Sequence, residues 1–216
     1  MSVNEANVLV VFSSLFGANA ELAALVEPVL NDLGSEARLR GVKQLVLEDH
    51  MAASAKSVVE ATKDDLAWAD GLIFTSPAHT GLLSASIKAF IDENHDDASK
   101  GAYLSKTFTA MATSDLAHAG QERVVDDLNA VGAAWGCVLV PPSTANATIN
   151  KLDGKPYGLS FVLKKGAIAD VDTTREVLHA HLERFVAITD ALAALKQGQG
   201  GPAPKRQPAR ATDVLS

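Results

Sequence analysis

Val8-Leu9-Val10-Val11-Phe12-Ser13-Ser14-Leu15-Phe16-Gly17-Ala18-Asn19 is an apolar run that ends in two hydroxyls and, after two more apolar residues, a glycine, just where a helical pattern begins. Such a run, closed by turn residues, reads as a buried strand of a parallel sheet. The helix that follows presents unpaired backbone N–H groups and the positive end of its dipole beyond the strand. The junction is therefore an anion pocket, with a phosphate as its expected guest. It holds no Lys or Arg, and the chain has neither Gly-x-x-x-x-Gly-Lys-Ser/Thr nor Gly-x-Gly-x-x-Gly. That disfavours a triphosphate cradle and the standard dinucleotide fingerprint. A monophosphate held by backbone and hydroxyls fits better.

Working outward, apolar β-branched runs alternate with stretches of helical periodicity, the signature of a βαβ array. Strands are expected at residues 7–12, 36–42, 70–75, 107–112 and 137–141, the second polar enough for a sheet edge. Helices are expected at 20–33, with Leu22, Leu25, Val26, Val29 and Leu30 on one face, and at 57–69 and 82–93. Two more are read at 121–135, with the stripe Val124, Val125, Leu128 and Val131, and at 173–196. The prediction is an α/β, doubly wound, five-stranded parallel sheet of order 2-1-3-4-5 with helices on both faces. Its switch point lies between the first and third strands, so the loop Ser13 to Asn19 must meet the loop Ser76-Pro77-Ala78-His79-Thr80-Gly81.

The 216 residues, 47% hydrophobic and 21% charged, suffice for one substantial core, expected over residues 1–196. No apolar stretch is long enough for a membrane span and no signal-peptide pattern is visible, so a cytoplasmic protein is expected. The last twenty residues, 197–216, are rich in Gly, Pro and Gln and read as a disordered tail. Lys205, Arg206 and Arg210 against Asp213 give that tail +2, which leaves −9 on residues 1–196 from the net −7. Such a body repels nucleic acid and anionic membrane. Cys137, in Cys-Val-Leu-Val, is alone and reads as a small buried residue. His179 and His181, two apart on a helix, point to different faces, and no metal site is expected. The acidic cluster Asp92 to Asp97 reads as a solvated helix end.

Four blocks together resemble the flavodoxin-like FMN proteins, closest to the WrbA-type NAD(P)H:quinone oxidoreductases and the NADPH-dependent FMN reductase-like family. They are Val8 to Gly17, Gly71 to Pro77 continuing through Gly81 to Asp92, His118-Ala119-Gly120-Gln121-Glu122, and Gly154-Lys155-Pro156-Tyr157-Gly158. Three departures accompany them. Ala134 and Trp135 stand where the family often has a histidine pair, Ala98 stands near a frequent tryptophan, and Thr113 to Ala117 has fewer glycines and an acid.

The resemblance implies FMN as cofactor and NAD(P)H as electron donor. It further implies hydride transfer to flavin N5, two-electron reduction of a quinone-like acceptor, and a homodimer or homotetramer. Ser13, Ser14 and Asn19, with the amides of Leu15, Phe16, Gly17, Ala18 and Asn19, would hold the phosphate, although either serine also reads as a helix cap. Pro77, Ala78, His79, Thr80 and Gly81 would line the ring near N5. Thr113, Ser114, Asp115 and Leu116 would lie at the pyrimidine end, with His118 and Gly120 beside them. His79 and His118 are the candidate catalytic side chains, each able to hydrogen-bond the ring or a quinone oxygen. Trp135 and Tyr157 read either as substrate-facing or, for Trp135, as the end of a core stripe. A flavodoxin-like single-electron carrier for a protein partner and a flavin-free regulatory member are the alternative readings.

Overall fold

β1 (Asn7–Phe12) is buried along its length after Asn7, as a strand flanked on both sides must be. In this computed structural model, which describes residues 6–45, 58–152 and 156–198, β1 pairs in parallel with β2 (Glu36–Gly41) and with β3 (Gly71–Pro77). β3 pairs in parallel with β4 (Thr107–Ser114). Side-chain alternation sorts the core into two layers. Val8, Val10 and Phe12 face α1 (Ala18–Asp32) and the long closing helix α6 (Val171–Gly198). Leu9 and Val11 join the opposite layer, which takes in α2 (Lys63–Trp68), α3 (Ala85–Glu93) and α5 (Gln121–Ala134); the short α4 (His95–Ser99) follows α3.

The 2-1-3-4-5 order holds, and its fifth position is built from two segments. β5 (Val138–Leu139) runs beside Thr107 and Phe108, and β6 (Leu159–Lys164) continues the same position beside Met111 to Ser114. The connection between them carries a short 3-10 turn at Ile149–Leu152. β7 (Ala167–Ile168) then folds back antiparallel on β6 through a two-residue turn, Lys165-Gly166. The strand expected at 137–141 therefore pairs over only two residues, because the chain leaves the sheet and returns after nineteen intervening residues to finish the edge.

The helix expected at 57–69 begins at Lys63; residue 57 lies outside the described residues. Glu60 bridges Gly41 in extended form, and Thr62 with Asp65 makes a reciprocal capping box that sets the helix start. Asp65 also receives Arg40 at 3.0 Å, which ties α2 to the polar edge strand β2. The tail 197–216 lies beyond the described residues except for the last two residues of α6.

Trp135 is corrected by the fold. α5 starts at the carboxyl end of β4 and runs back to the amino ends of the strands, so its final turn is far from the switch point. There Trp135 is buried edge-on against Phe74 at 5.7 Å and beside Tyr103 at 4.6 Å. It is core, not a substrate-facing residue. Tyr157 is exposed, and its carbonyl accepts from Asn129 Nδ2 at 2.8 Å. Neither it nor Trp135 lines the cleft described next. Gly154 and Lys155 of the same block lie outside the described residues.

Candidate functional site

The loops that leave β1, β3 and β4 converge at the switch point around a cleft of about 240 Å³. The first loop supplies Ser14, Leu15, Phe16, Ala18 and Asn19; the second Pro77, Ala78 and His79; the third Thr113, Ser114 and Asp115. Loops distant in sequence are thus joined as the winding requires.

Asn19 joins them physically. Its side chain is buried, accepts from Thr75 Oγ1 at 2.6 Å and donates to Thr113 Oγ1 at 2.9 Å, so the first turn of α1 is bound to the ends of β3 and β4. Of the two serines, Ser14 meets the start of α1: its Oγ accepts from Ala20 N at 3.1 Å, and the residue lines the cleft. Ser13 is turned away, donating to Gln44 Oε1 at 3.4 Å, and does not line the cleft. Gly17 takes φ +101°, a conformation open to glycine, and caps α1 without a side chain. Among the described residues, the backbone N–H groups of Leu15 to Asn19 meet no protein acceptor, whereas the next amides are used by Ser14 Oγ and the Gly17 carbonyl. Consecutive orphan donors at a helix start form a cradle for an anion.

The second loop is a tight hairpin. His79 and Leu82 exchange both backbone hydrogen bonds, and the two central residues, Thr80 and Gly81, take φ +52° and +76°, the type I′ pattern. His79 lies at the rim, its ring 6.4 Å from that of Phe16. The third loop is shaped from within by a residue the sequence reading left unassigned. Gln121 is fully buried, accepts from Ala119 N at 3.0 Å, and donates to the carbonyls of Leu116 and Ala117 at 3.0 Å each. Its place in a Gly-Gln sequence at the start of a helix was the available signal.

Gly120, at φ +90°, lets the second and third loops touch: a Cβ there would lie 2.6 Å from the Gly81 Cα. Thr80, Gly81, Gly120, Gly17 and Leu116 thus shape or flank the cleft without lining it. His118 faces the other way, onto an adjoining cavity of about 710 Å³ that shares Leu163 with the cleft. Leu163 and Gly166 reach the cleft from the β6–β7 hairpin, which the sequence reading did not foresee.

Among the described residues, Asp115 is the one acidic side chain in the lining, and no Lys or Arg lines it. Elsewhere, burial pushes the Cys137 thiol up to about 11, so it stays protonated and unreactive. Burial pushes the His181 imidazole down to about 4, and its Nε2 meets Thr109 Oγ1 at 2.9 Å inside the core. His179 lies instead on a surface groove with Arg175 and Glu183. Among the described residues no helix is long and apolar enough to cross a membrane.

A doubly wound sheet of this order, with an anion cradle at its switch point, defines a flavodoxin-like α/β protein. Solved structures share the fold: a WrbA-like flavodoxin protein from Agrobacterium tumefaciens superposes with TM-score 0.60 at 16% identity, covering 85% of this chain and 98% of that one. Flavodoxin 2 from Bacillus cereus gives 0.56 at 18% identity, over 83% and 100%. The NADPH-dependent FMN reductase family model matches residues 6–151, and the chain belongs to that family. It is an oxidoreductase that works with FMN and NAD(P)H. A relative named NAD(P)H dehydrogenase (quinone) from Deinococcus radiodurans is 30% identical over 192 residues, 85% of this chain and 95% of its own length. Another of that name, from Geobacter sulfurreducens, is 31% identical over 169 residues, 72% and 83% respectively.

Proposed function

We propose that the chain seats FMN with its phosphate on the Ser14 to Asn19 loop and its ring between the Pro77–Gly81 and Thr113–His118 loops, and that it reduces a quinone with electrons from NAD(P)H. The observation that carries this is the run of orphan N–H groups from Leu15 to Asn19 at the positive end of α1, beside the Ser14 hydroxyl. The residues fit the group. A phosphate satisfies the Leu15 to Asn19 donors, which meet no acceptor among the described residues.

FMN held there would supply two-electron transfer between NAD(P)H and the acceptor. The chain's residues orient and select. Asn19 locks the three strand ends into one frame. Gln121 fixes the shape of the third loop, and the Gly81–Gly120 contact fixes its spacing from the second. Phe16 at the cleft and the exposed Leu82 and Leu116 beside it offer an apolar rim to a quinone ring. His79, at that rim, can pass a proton from its imidazole to a quinone oxygen. Quinone reductase names on the Deinococcus and Geobacter relatives support the acceptor class.

The test is the visible spectrum of the purified protein with added FMN, followed by oxidation of NADH and NADPH with and without benzoquinone. The expected result is a perturbed flavin spectrum and oxidation that accelerates with benzoquinone. A protein that leaves free FMN unperturbed sinks the reading.

A further inference from the structure

The proposed phosphate cradle has a charge deficit. A phosphate brings up to two negative charges to a cleft whose described lining contains Asp115 and no cation, and Glu21 stands in the first turn of α1. Backbone amides and a helix dipole offset part of that charge. The chain then brings a second element to the same place. Ile168 N donates to Glu21 Oε2 at 3.2 Å, which binds the β6–β7 hairpin to the first turn of α1, and the hairpin's Leu163 and Gly166 line the cleft.

The tip of that hairpin is Lys165-Gly166, with Leu163 and Lys164 facing Ile168 and Ala167 across the turn. Two-residue turns of this kind need positive φ at both central positions, which is why glycine, asparagine and aspartate dominate them. Both positions have positive φ, +54° at Lys165 and +79° at Gly166, but only Gly166 is a residue of the preferred kind. An L residue with a long side chain is thus held in the left-handed region next to Gly166, which lines an anion cleft with no Lys or Arg among its described lining residues. Strain kept at such a place points to what the side chain does. Lys164, the next cation along, lines the adjoining cavity instead.

Resting on the FMN reading above, we propose that Lys165 is the counter-charge of the cofactor's phosphate, delivered by the β6–β7 hairpin, and that it sets the preference for FMN over riboflavin. Its ammonium sits on a flexible stem at an exposed turn, so it acts as a screened point charge.

The test is a fluorescence titration of the full chain with FMN and with riboflavin, at low and high salt, for wild type, Lys165→Gln, Lys165→Gly and Lys164→Gln. Loss of one exposed charge pair weakens FMN about fivefold at low salt, and leaves riboflavin unchanged. The salt dependence of FMN binding becomes shallower in Lys165→Gln. Lys165→Gly, which relieves the turn, raises the melting temperature while weakening FMN, a pair of opposite shifts that a merely structural lysine does not give. Lys164→Gln behaves as wild type. Equal FMN affinity in wild type and Lys165→Gln overturns the assignment while the FMN reading stands, as does a loss confined to Lys164→Gln. A wild type that binds neither flavin overturns both.

Discussion

Replacing Gly120 by alanine tests how the two ring loops are held. The new Cβ would stand 2.6 Å from Gly81 Cα, 3.2 Å from its carbonyl oxygen and 3.3 Å from its carbonyl carbon, all backbone atoms that cannot rotate aside. Restoring the shortest contact to an ordinary 3.4 Å requires the loops to part by about 0.8 Å. The left-handed φ of +90° adds about 1 kcal/mol for any L side chain. Overpacking adds ~1–3 kcal/mol. The expected loss of stability is ~2–4 kcal/mol, read by urea unfolding. Gly34→Ala is the control: its φ is +83° and nothing lies within 4 Å, so it shows the backbone term alone, about 1 kcal/mol. A displacement near 1 Å at a binding surface is also costly to function, and FMN affinity of the folded Gly120→Ala protein should fall about tenfold or more. If Gly120→Ala and Gly34→Ala destabilise equally, or FMN binding is untouched, the close contact between the loops is not what sets the site.

Asn19→Asp keeps an acceptor for Thr75 Oγ1 and puts a carboxylate into the anion cleft; FMN affinity should drop about tenfold while riboflavin binding holds, by titration of each. Trp135→Ala, in the core far from the cleft, should cost ~3–5 kcal/mol in urea unfolding and leave the FMN affinity of the folded protein unchanged. Burial holds the His181 imidazole at about 4 against an ordinary 6.5, so the unfolded chain takes up a proton first on acidification. Stability is therefore full above pH 6.5 and falls between pH 6.5 and 4 by about 3 kcal/mol, a slope that His181→Asn should remove in pH-resolved urea unfolding. An unchanged slope in that variant assigns the acid sensitivity elsewhere.

What the chain disclosed before folding was its local chemistry. The run Val8 to Phe12, the hydroxyls and glycine after it, and the alternation of strand and helix patterns carried the winding, and the winding alone dictates that Ser14, Pro77 and Thr113 meet. Three features were hidden because they depend on contacts between segments distant in sequence. The fifth sheet position is shared by Val138–Leu139 and Leu159–Lys164, which no local pattern unites. Trp135 ends an apolar stripe, and only the direction of α5 shows which end of the sheet it reaches. Ser13 and Ser14 are adjacent and chemically alike, yet the geometry of the turn gives one to Gln44 and the other to the cleft.

The claim on which the rest depends is that the amides of Leu15 to Asn19 receive the phosphate of FMN. A ¹H–¹⁵N spectrum of labelled protein titrated with FMN reads those donors directly. The account predicts that their resonances shift and exchange more slowly with FMN, and stay in place with riboflavin while Ala78 to Gly81 move. Flavin binding that perturbs the ring loops but leaves Leu15 to Asn19 unmoved by FMN contradicts it.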